Sequence, residues 1–317
     1  MWTILLDIIL LSLGIAVVLW GADKFTDGAS DIARRWNVSE LVIGLTIVAM
    51  GTSMPEFAVS FFSALDGSAD MSVGNVVGSN IFNILVIVGV ASLSIPMSLT
   101  GKLLSGDIAF VICASLLLVV LSYDGGISRP EAFVLLLLFC AYMGYSCYDS
   151  LHNAGTPAAS VAVYGPWKTV LFILLGMACL AGGGQMLVSG ASSLAVTCGI
   201  SERVVGLTVL AAGTSLPELA TSIVAARKGS TGMALGNAIG SNLFNILFVL
   251  GANALICPLR TDGIGTLDWG VLVGSSVLLL VFGITDRRIS RTEGVLLLSF
   301  YIVYMAALVT GWQFGIS

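Results

Sequence analysis

Ten runs of about 20 mostly apolar residues, each long enough to cross a bilayer as a helix, dictate what this chain can fold into. They lie at about residues 3–21, 41–64, 73–97, 104–122, 131–149, 168–186, 203–226, 232–257, 269–284 and 294–312. Apolar residues make up 57% of the 317-residue chain, and charged residues only 10%. A soluble fold of this size cannot hide so much apolar side chain, and disorder needs the opposite composition. Strands are a poor alternative, because barrel strands alternate polar with apolar over about 10 residues. The expectation is an all-α polytopic membrane protein, with the lipid bilayer as its main partner. The first run has no basic stretch before it and reads as a retained span, not a cleaved signal. With 13 basic against 18 acidic residues and no basic stripe, nucleic acid is excluded as a partner.

The six cysteines (Cys113, Cys140, Cys147, Cys179, Cys198 and Cys257) are scattered through apolar runs and read as small buried packing residues. The one histidine, His152, falls in a polar loop. Zinc sites draw on closely spaced His and Cys, so neither a zinc enzyme nor a cofactor is expected. The tryptophans fall near span ends, as in an interfacial aromatic belt. Ten spans put both termini on one side. Loops on the opposite side carry ten Lys and Arg, among them Lys24, Arg34, Arg35, Lys102, Arg227 and Lys228, against three on the terminal side. The positive-inside rule then places both termini outside the cytoplasm.

The chain repeats itself at a shift of 162 residues. Ser39–Glu56 reads SELVIGLTIVAMGTSMPE and Ser201–Glu218 reads SERVVGLTVLAAGTSLPE, with 12 of 18 positions identical. Gly74–Leu85 (GNVVGSNIFNIL) and Gly236–Leu247 (GNAIGSNLFNIL) share nine of 12. Arg129 and Glu131 recur as Arg291 and Glu293. Each half holds five spans, and an odd number makes the second half enter from the opposite side. The expected architecture is therefore ten transmembrane helices as two inverted five-helix repeats, 1–151 and 167–317, joined by a linker at 152–166. Inverted repeats are typical of secondary transporters with a midplane site.

Glu56 and Glu218 are the only carboxylates read as deep within apolar spans; Asp7, Asp107, Glu131, Asp149, Asp268 and Glu293 lie near span ends, where water or head groups can solvate them. A charge at the bilayer centre costs at least about 2.5–3.5 kcal/mol, so two symmetric ones need a reason. Each follows a proline. Pro55 and Pro217 cannot donate to the carbonyls of Gly51 and Gly213, which opens the helix. Such backbone survives at membrane depth only inside protein or beside a polar cavity. Thr52, Ser53, Thr214 and Ser215 add hydroxyls on the same turns. The second motif supplies Asn75, Ser79, Asn80 and Asn83, then Asn237, Ser241, Asn242 and Asn245. Ser79 and Asn83 share a helical face, as do Ser241 and Asn245. Asn80 and Asn242 lie about 100° away around the helix and read as interhelical or backbone hydrogen-bonders. Carboxylates, amide oxygens, hydroxyls and freed carbonyls form a hard-cation ligand list. Calcium accepts 6–8 flexible oxygens, sodium accepts the same kind, and two carboxylates balance one Ca²⁺.

These paired motifs closely resemble the alpha repeats of sodium/calcium exchangers in the cation/calcium antiporter superfamily, in a compact prokaryotic form. The resemblance covers essentially the whole chain. It implies that Glu56 and Glu218 are the central calcium ligands, shared with sodium, and that the backbone carbonyls of Thr52 and Thr214 complete the calcium site. It implies flanking sodium sites at Ala49, Ser53, Ser79, Ala211, Ser215 and Ser241, with Asn83 and Asn245 lining the middle. It further implies alternating access, in which spans one and six slide past a fixed core. The compactness of the chain and its lack of regulatory domains point to the cell's inner (plasma) membrane. Many relatives carry an aspartate at one of the two mid-site asparagines; this chain has none there, which favours potassium independence. The proton-coupled branch typically has a glutamate where this chain has Gly78 and Gly240, which argues against a calcium/proton antiporter, the runner-up. No obligate protein partner is implied. An intramembrane acid/base enzyme using Glu56 and Glu218 lacks any accompanying nucleophile or metal-binding histidine, so no enzyme is expected; a cation channel would show flux without a counter-ion.

Overall fold

The computed structural model describes residues 2–66, 69–99, 101, 103–152, 162–197 and 211–310. Among these, eight helices are long and apolar enough to cross a membrane: Ile4–Trp36, Met71–Ser94, Leu103–Leu121, Arg129–Ser150, Pro166–Thr197, Thr231–Ile256, Thr266–Asp286 and Arg291–Leu308. A ninth span is broken, with Glu40–Thr52 and Met54–Leu65 bent by 44°. The expected seventh span, 203–226, begins outside the described residues. Its described part is Ala211–Gly213 followed by Leu216–Arg227. Its break falls at Thr214 and Ser215, 162 residues after the break at Ser53. The all-helical membrane fold in two repeats is therefore in place, while the number ten rests partly on residues that are not described.

The first helix of each half overshoots the sequence expectation. Trp2–Trp36 and Pro166–Thr197 replace the expected 3–21 and 168–186. The added turns are polar, and partners hold them in helix. Lys228 Nζ lies 2.6 Å from a carboxylate oxygen of Asp23 and 2.6 Å from one of Asp27. Asp31 is fully buried and accepts from Thr169 Oγ1 at 2.6 Å and from the backbone N–H groups of Val163 (2.6 Å) and Tyr164 (3.1 Å). At the other end of this antiparallel pair Ser193 Oγ donates to Asp7 at 2.8 Å. The two clasps are the same contact seen twice, since 7 and 31 plus 162 give 169 and 193.

Between the clasps the two helices pack backbone to backbone. Gly14, Gly21 and Gly28 on one helix and Gly176, Gly183 and Gly190 on the other, both sets spaced by seven, line the contact; Gly14 meets Gly183, Gly21 meets Gly176, Gly28 meets Thr169 and Ile173, and Gly190 meets Asp7 and Leu11. A Cβ on Gly21 would lie 2.7 Å from the Cβ of Cys179, and one on Gly176 2.7 Å from the Phe25 nitrogen. Small residues permit this approach in lipid, where dispersion drives helix association.

Two helices form the centre, Met71–Ser94 and Thr231–Ile256, with 83% and 78% of their most apolar stretches buried. Both widen into π turns, at Asn83–Val88 and Phe244–Val249, a feature common at functional sites. Two-residue strands tie the halves together reciprocally. Met97 pairs with Ile289, and Ile127 with Leu259. Exchanging the halves by 162 converts one pair into the other, as a two-fold relation requires. The recurring Glu131 and Glu293 are capping residues: their carboxylates accept from the backbone N–H groups of Ser128 and Ser290, each at 2.7 Å.

Three sequence expectations need correction. Asp7 and Asp107 are not solvated at span ends; they are 6% and 5% exposed and take hydrogen bonds from Ser193 and Tyr142. The cysteines are not uniformly buried. Cys113, Cys140 and Cys147 are exposed, and Cys179 and Cys257 half-buried; Cys198 lies outside the described residues. A lipid-facing surface is as apolar as the interior, so hydropathy alone does not place them. His152 ends the helix Arg129–His152 and does not sit in a loop.

Candidate ion-binding site

The two broken helices meet at the centre. Ser53 and Ser215 leave the helical region in the same way, at φ −85°, ψ 8° and φ −87°, ψ 7°. Prolines 55 and 217 then open new helices, and Glu56 and Glu218 stand in their first turns. A helix N-terminus favours negative charge, so each half-helix supports its carboxylate. Both glutamates have no solvent exposure.

Each carboxylate is held by the opposite repeat. Ser53 Oγ donates to Glu218 Oε1 at 2.7 Å, and Ser215 Oγ donates to Glu56 Oε1 at 2.8 Å. Behind them, Asn75 Nδ2 donates to the Glu56 carbonyl (3.3 Å) and to Ser60 Oγ (3.0 Å). Asn237 does the same to the Glu218 carbonyl (3.2 Å) and Ser222 Oγ (2.9 Å). Thr52 Oγ1 lies 3.0 Å from Asn237 Oδ1, and Thr214 Oγ1 is 3.5 Å from Asn75 Oδ1. The second-motif asparagines cross at the two-fold: Asn83 Nδ2 donates to Asn242 Oδ1 at 3.0 Å, and Asn245 Nδ2 to Asn80 Oδ1 at 3.2 Å.

What is left over defines the site. Glu56 Oε2, Glu218 Oε2, Asn83 Oδ1, Asn245 Oδ1 and Ser79 Oγ are all buried without a hydrogen-bond partner. An unsatisfied buried polar group costs about 1–3 kcal/mol. These five, among other such atoms elsewhere in the described residues, are carboxylate, amide and hydroxyl oxygens from the same two motifs, the ligand chemistry of a hard cation. Ala49 is fully buried, and its carbonyl lies 3.5 Å from Ser241 Oγ. Thr214 is half-buried, and Ala211 opens the short helix Ala211–Gly213. Among the described residues no three His, Cys, Asp or Glu gather as a metal site; the two carboxylates are completed by neutral oxygens. Eleven of the twelve positions expected from the sequence (Ala49, Thr52, Ser53, Glu56, Ser79, Asn83, Thr214, Ser215, Glu218, Ser241 and Asn245) have described side chains; of Ala211 only the backbone is described. The sequence did not single out Asp31, whose partners Val163, Tyr164 and Thr169 lie in the other half of the chain, or Ser60, which pairs with Asn75 of the next helix.

Symmetric broken helices enclosing unpartnered oxygens inside a membrane fold define a cation carrier. The sequence profile described as sodium/calcium exchanger protein matches residues 6–148 and 168–310. The chain belongs to the sodium/calcium exchanger family. It is 39% identical over 306 residues to the protein named "Putative antiporter CaxA" of Alkalimonas amylolytica, covering 92% of this chain and 95% of that protein. It is 33% identical over 346 residues to sodium/calcium exchanger MaX1 of Methanosarcina acetivorans, covering 96% and 99%. A solved structure of the sodium-calcium exchanger NCX_Mj, soaked with 10 mM Na⁺ and 10 mM Sr²⁺, matches with a TM-score of 0.84 at 32% identity, over 96% of this chain and 99% of that one. The protein is thus a multi-pass membrane antiporter for calcium and another cation, in a family of transporters and not of enzymes.

Proposed function

We propose that the protein exchanges Na⁺ for Ca²⁺ by alternating access at this central site. The observation that carries the reading is the set of buried, unpartnered oxygens on Glu56, Glu218, Asn83, Asn245 and Ser79. Glu56 and Glu218 bind Ca²⁺ with the carbonyls of Thr52 and Thr214. Na⁺ takes the same carboxylates together with Ala49, Ser53, Ser79 and Ser241, and with Ala211 and Ser215. Asn83 and Asn245 line the middle. Shared ligands make the two ions competitors, and competition for one site is the simplest source of coupled exchange. Sodium influx drives calcium out of the cell, and both termini lie outside the cytoplasm. Residues 1–151 and 167–317 act as the two repeats around the linker 152–166, with the paired helices Trp2–Trp36 and Pro166–Thr197 sliding against the rest.

Sodium is favoured over protons as the counter-ion by packing at Gly240. A Cβ there would lie 2.5 Å from the Leu45 carbonyl oxygen, so the glutamate typical of proton-coupled relatives has no room at Gly240; at Gly78, where nothing lies within 4 Å of an added Cβ, the reading rests on the absence of that carboxylate alone. Flux measurements separate the cases. Proteoliposomes loaded with Na⁺ and diluted into Na⁺-free buffer at equal pH take up Ca²⁺, and Glu218→Gln abolishes the uptake. Uptake that ignores Na⁺ but follows a pH gradient would assign the coupling to protons.

A further inference from the structure

We propose that Asn80 and Asn242 are positioning residues: a reciprocal clasp between them turns the side-chain amides of Asn83 and Asn245 so that oxygen, and never the NH₂ group, faces the transported ion. The proposal rests on the central-site reading above and adds to it a pair of residues that touch no ion.

Two backbone carbonyls set the orientation. Asn242 Nδ2 lies 3.2 Å from the Asn80 carbonyl oxygen, and Asn80 Nδ2 lies 3.3 Å from the Asn242 carbonyl oxygen. A carbonyl only accepts, so the nitrogen of each amide must take that side. The oxygen of each amide is thereby forced to the other side. Asn242 Oδ1 then faces the Asn83 amide at 3.0 Å, and Asn80 Oδ1 faces the Asn245 amide at 3.2 Å. An oxygen cannot donate, so Asn83 and Asn245 present nitrogen to it. Their own oxygens are left as the unpartnered buried atoms of the site. A chain of donors and acceptors starting at the backbone thus fixes which end of each ligand amide the ion meets.

The clasp matters because an amide is nearly the same shape turned over. Rotation by half a turn about the last side-chain bond exchanges oxygen for NH₂, and NH₂ repels a cation. Most metal ligands are oriented by such outer partners. All four asparagines are at most 1% exposed, so water cannot replace the clasp. Asn80 and Asn83 are three apart on one helix, as are Asn242 and Asn245, so the positioning residue of each repeat serves the ligand of the other.

The test is a double-mutant cycle on ⁴⁵Ca²⁺ binding to the purified full chain in detergent. Asn83→Ala removes the ligand oxygen. Asn242→Leu keeps the volume and removes the steering bond. Each single change is expected to weaken Ca²⁺ binding about 10- to 100-fold, the range for lost outer-shell partners. If Asn242 acts through Asn83, the double variant binds within about threefold of the weaker single one, because nothing is left to steer. If Asn242 only holds two helices together, the losses multiply and the proposal is wrong. Affinity for Asn242→Leu within about threefold of wild type also overturns it. Asn242→Thr replaces Asn242→Leu if the latter does not fold, since a threonine hydroxyl does not reach Asn83. Glu218→Gln runs beside the cycle. If it binds Ca²⁺ as wild type does, the central site itself is misassigned; if it loses binding while the cycle is additive, only the clasp fails.

Discussion

Ser53 and Ser215 each reach across the two-fold to the carboxylate of the other repeat. Their bonds are 2.7 and 2.8 Å, and both serines are fully buried. A hydrogen bond to a charged group is worth about 1.5–3 kcal/mol. Ser53→Ala and Ser215→Ala are therefore each expected to raise the Na⁺ concentration for half-maximal exchange by about tenfold or more. Their effects should also be alike, because the environments are. A strong effect from one serine and none from the other, in flux titrations at fixed Ca²⁺, would show that the pseudo-symmetry does not extend to ion binding. At this scale the sequence was highly informative. Polar residues at membrane depth are rare enough that the doubled motifs stood out as candidates, whereas buried Asp7, Asp31, Ser60 and Asp107 were not read as buried. The serine-to-carboxylate pairing was not readable, since each bond joins residues about 160 positions apart.

The first helices of the two halves depend on close backbone approach. The pair Trp2–Trp36 and Pro166–Thr197 meets through glycines at heptad spacing. Gly21→Val places methyl groups where a Cβ already approaches Cys179 to 2.7 Å. Overpacking of this kind costs about 1–3 kcal/mol, so thermal unfolding in detergent should move to lower temperature. Gly182→Val, at an exposed position of the partner helix, should leave it nearly unchanged. Equal unfolding temperatures for the two variants would mean that the helices do not touch at Gly21. The glycine spacing was visible in the sequence, but spacing does not say which helix it faces. Span ends were misjudged for a related reason. Hydropathy stops at the first charges, near Asp23, whereas ion pairs with Lys228 carry the helix on.

Across the whole molecule the two ends of the two-fold are not equal. At one end Lys228 binds Asp23 and Asp27 and joins the first helix to the Glu218 helix. The symmetric positions hold Asp66, Gln185 and Ser189, and Gln185 turns to Ser189 at 3.5 Å. A partly exposed ion pair is worth up to about 1 kcal/mol. Lys228→Gln should therefore speed amide hydrogen exchange of residues 20–30 by up to about fivefold, given that such exchange reads local opening. Unchanged exchange there would mean that the ion pairs do not restrain the first helix. This inequality follows from residues that the repeat does not preserve, so no argument from the repeat foresees it.

On the proposed function, Ca²⁺ and Na⁺ share one buried site built on Glu56 and Glu218. The most direct test is the displacement of ⁴⁵Ca²⁺ from the purified protein by Na⁺ at constant ionic strength. Na⁺ is expected to remove the bound Ca²⁺ completely and cooperatively, and neither Glu56→Gln nor Glu218→Gln is expected to retain measurable Ca²⁺. Bound Ca²⁺ that persists at any Na⁺ concentration, or that survives either substitution, would contradict a shared site.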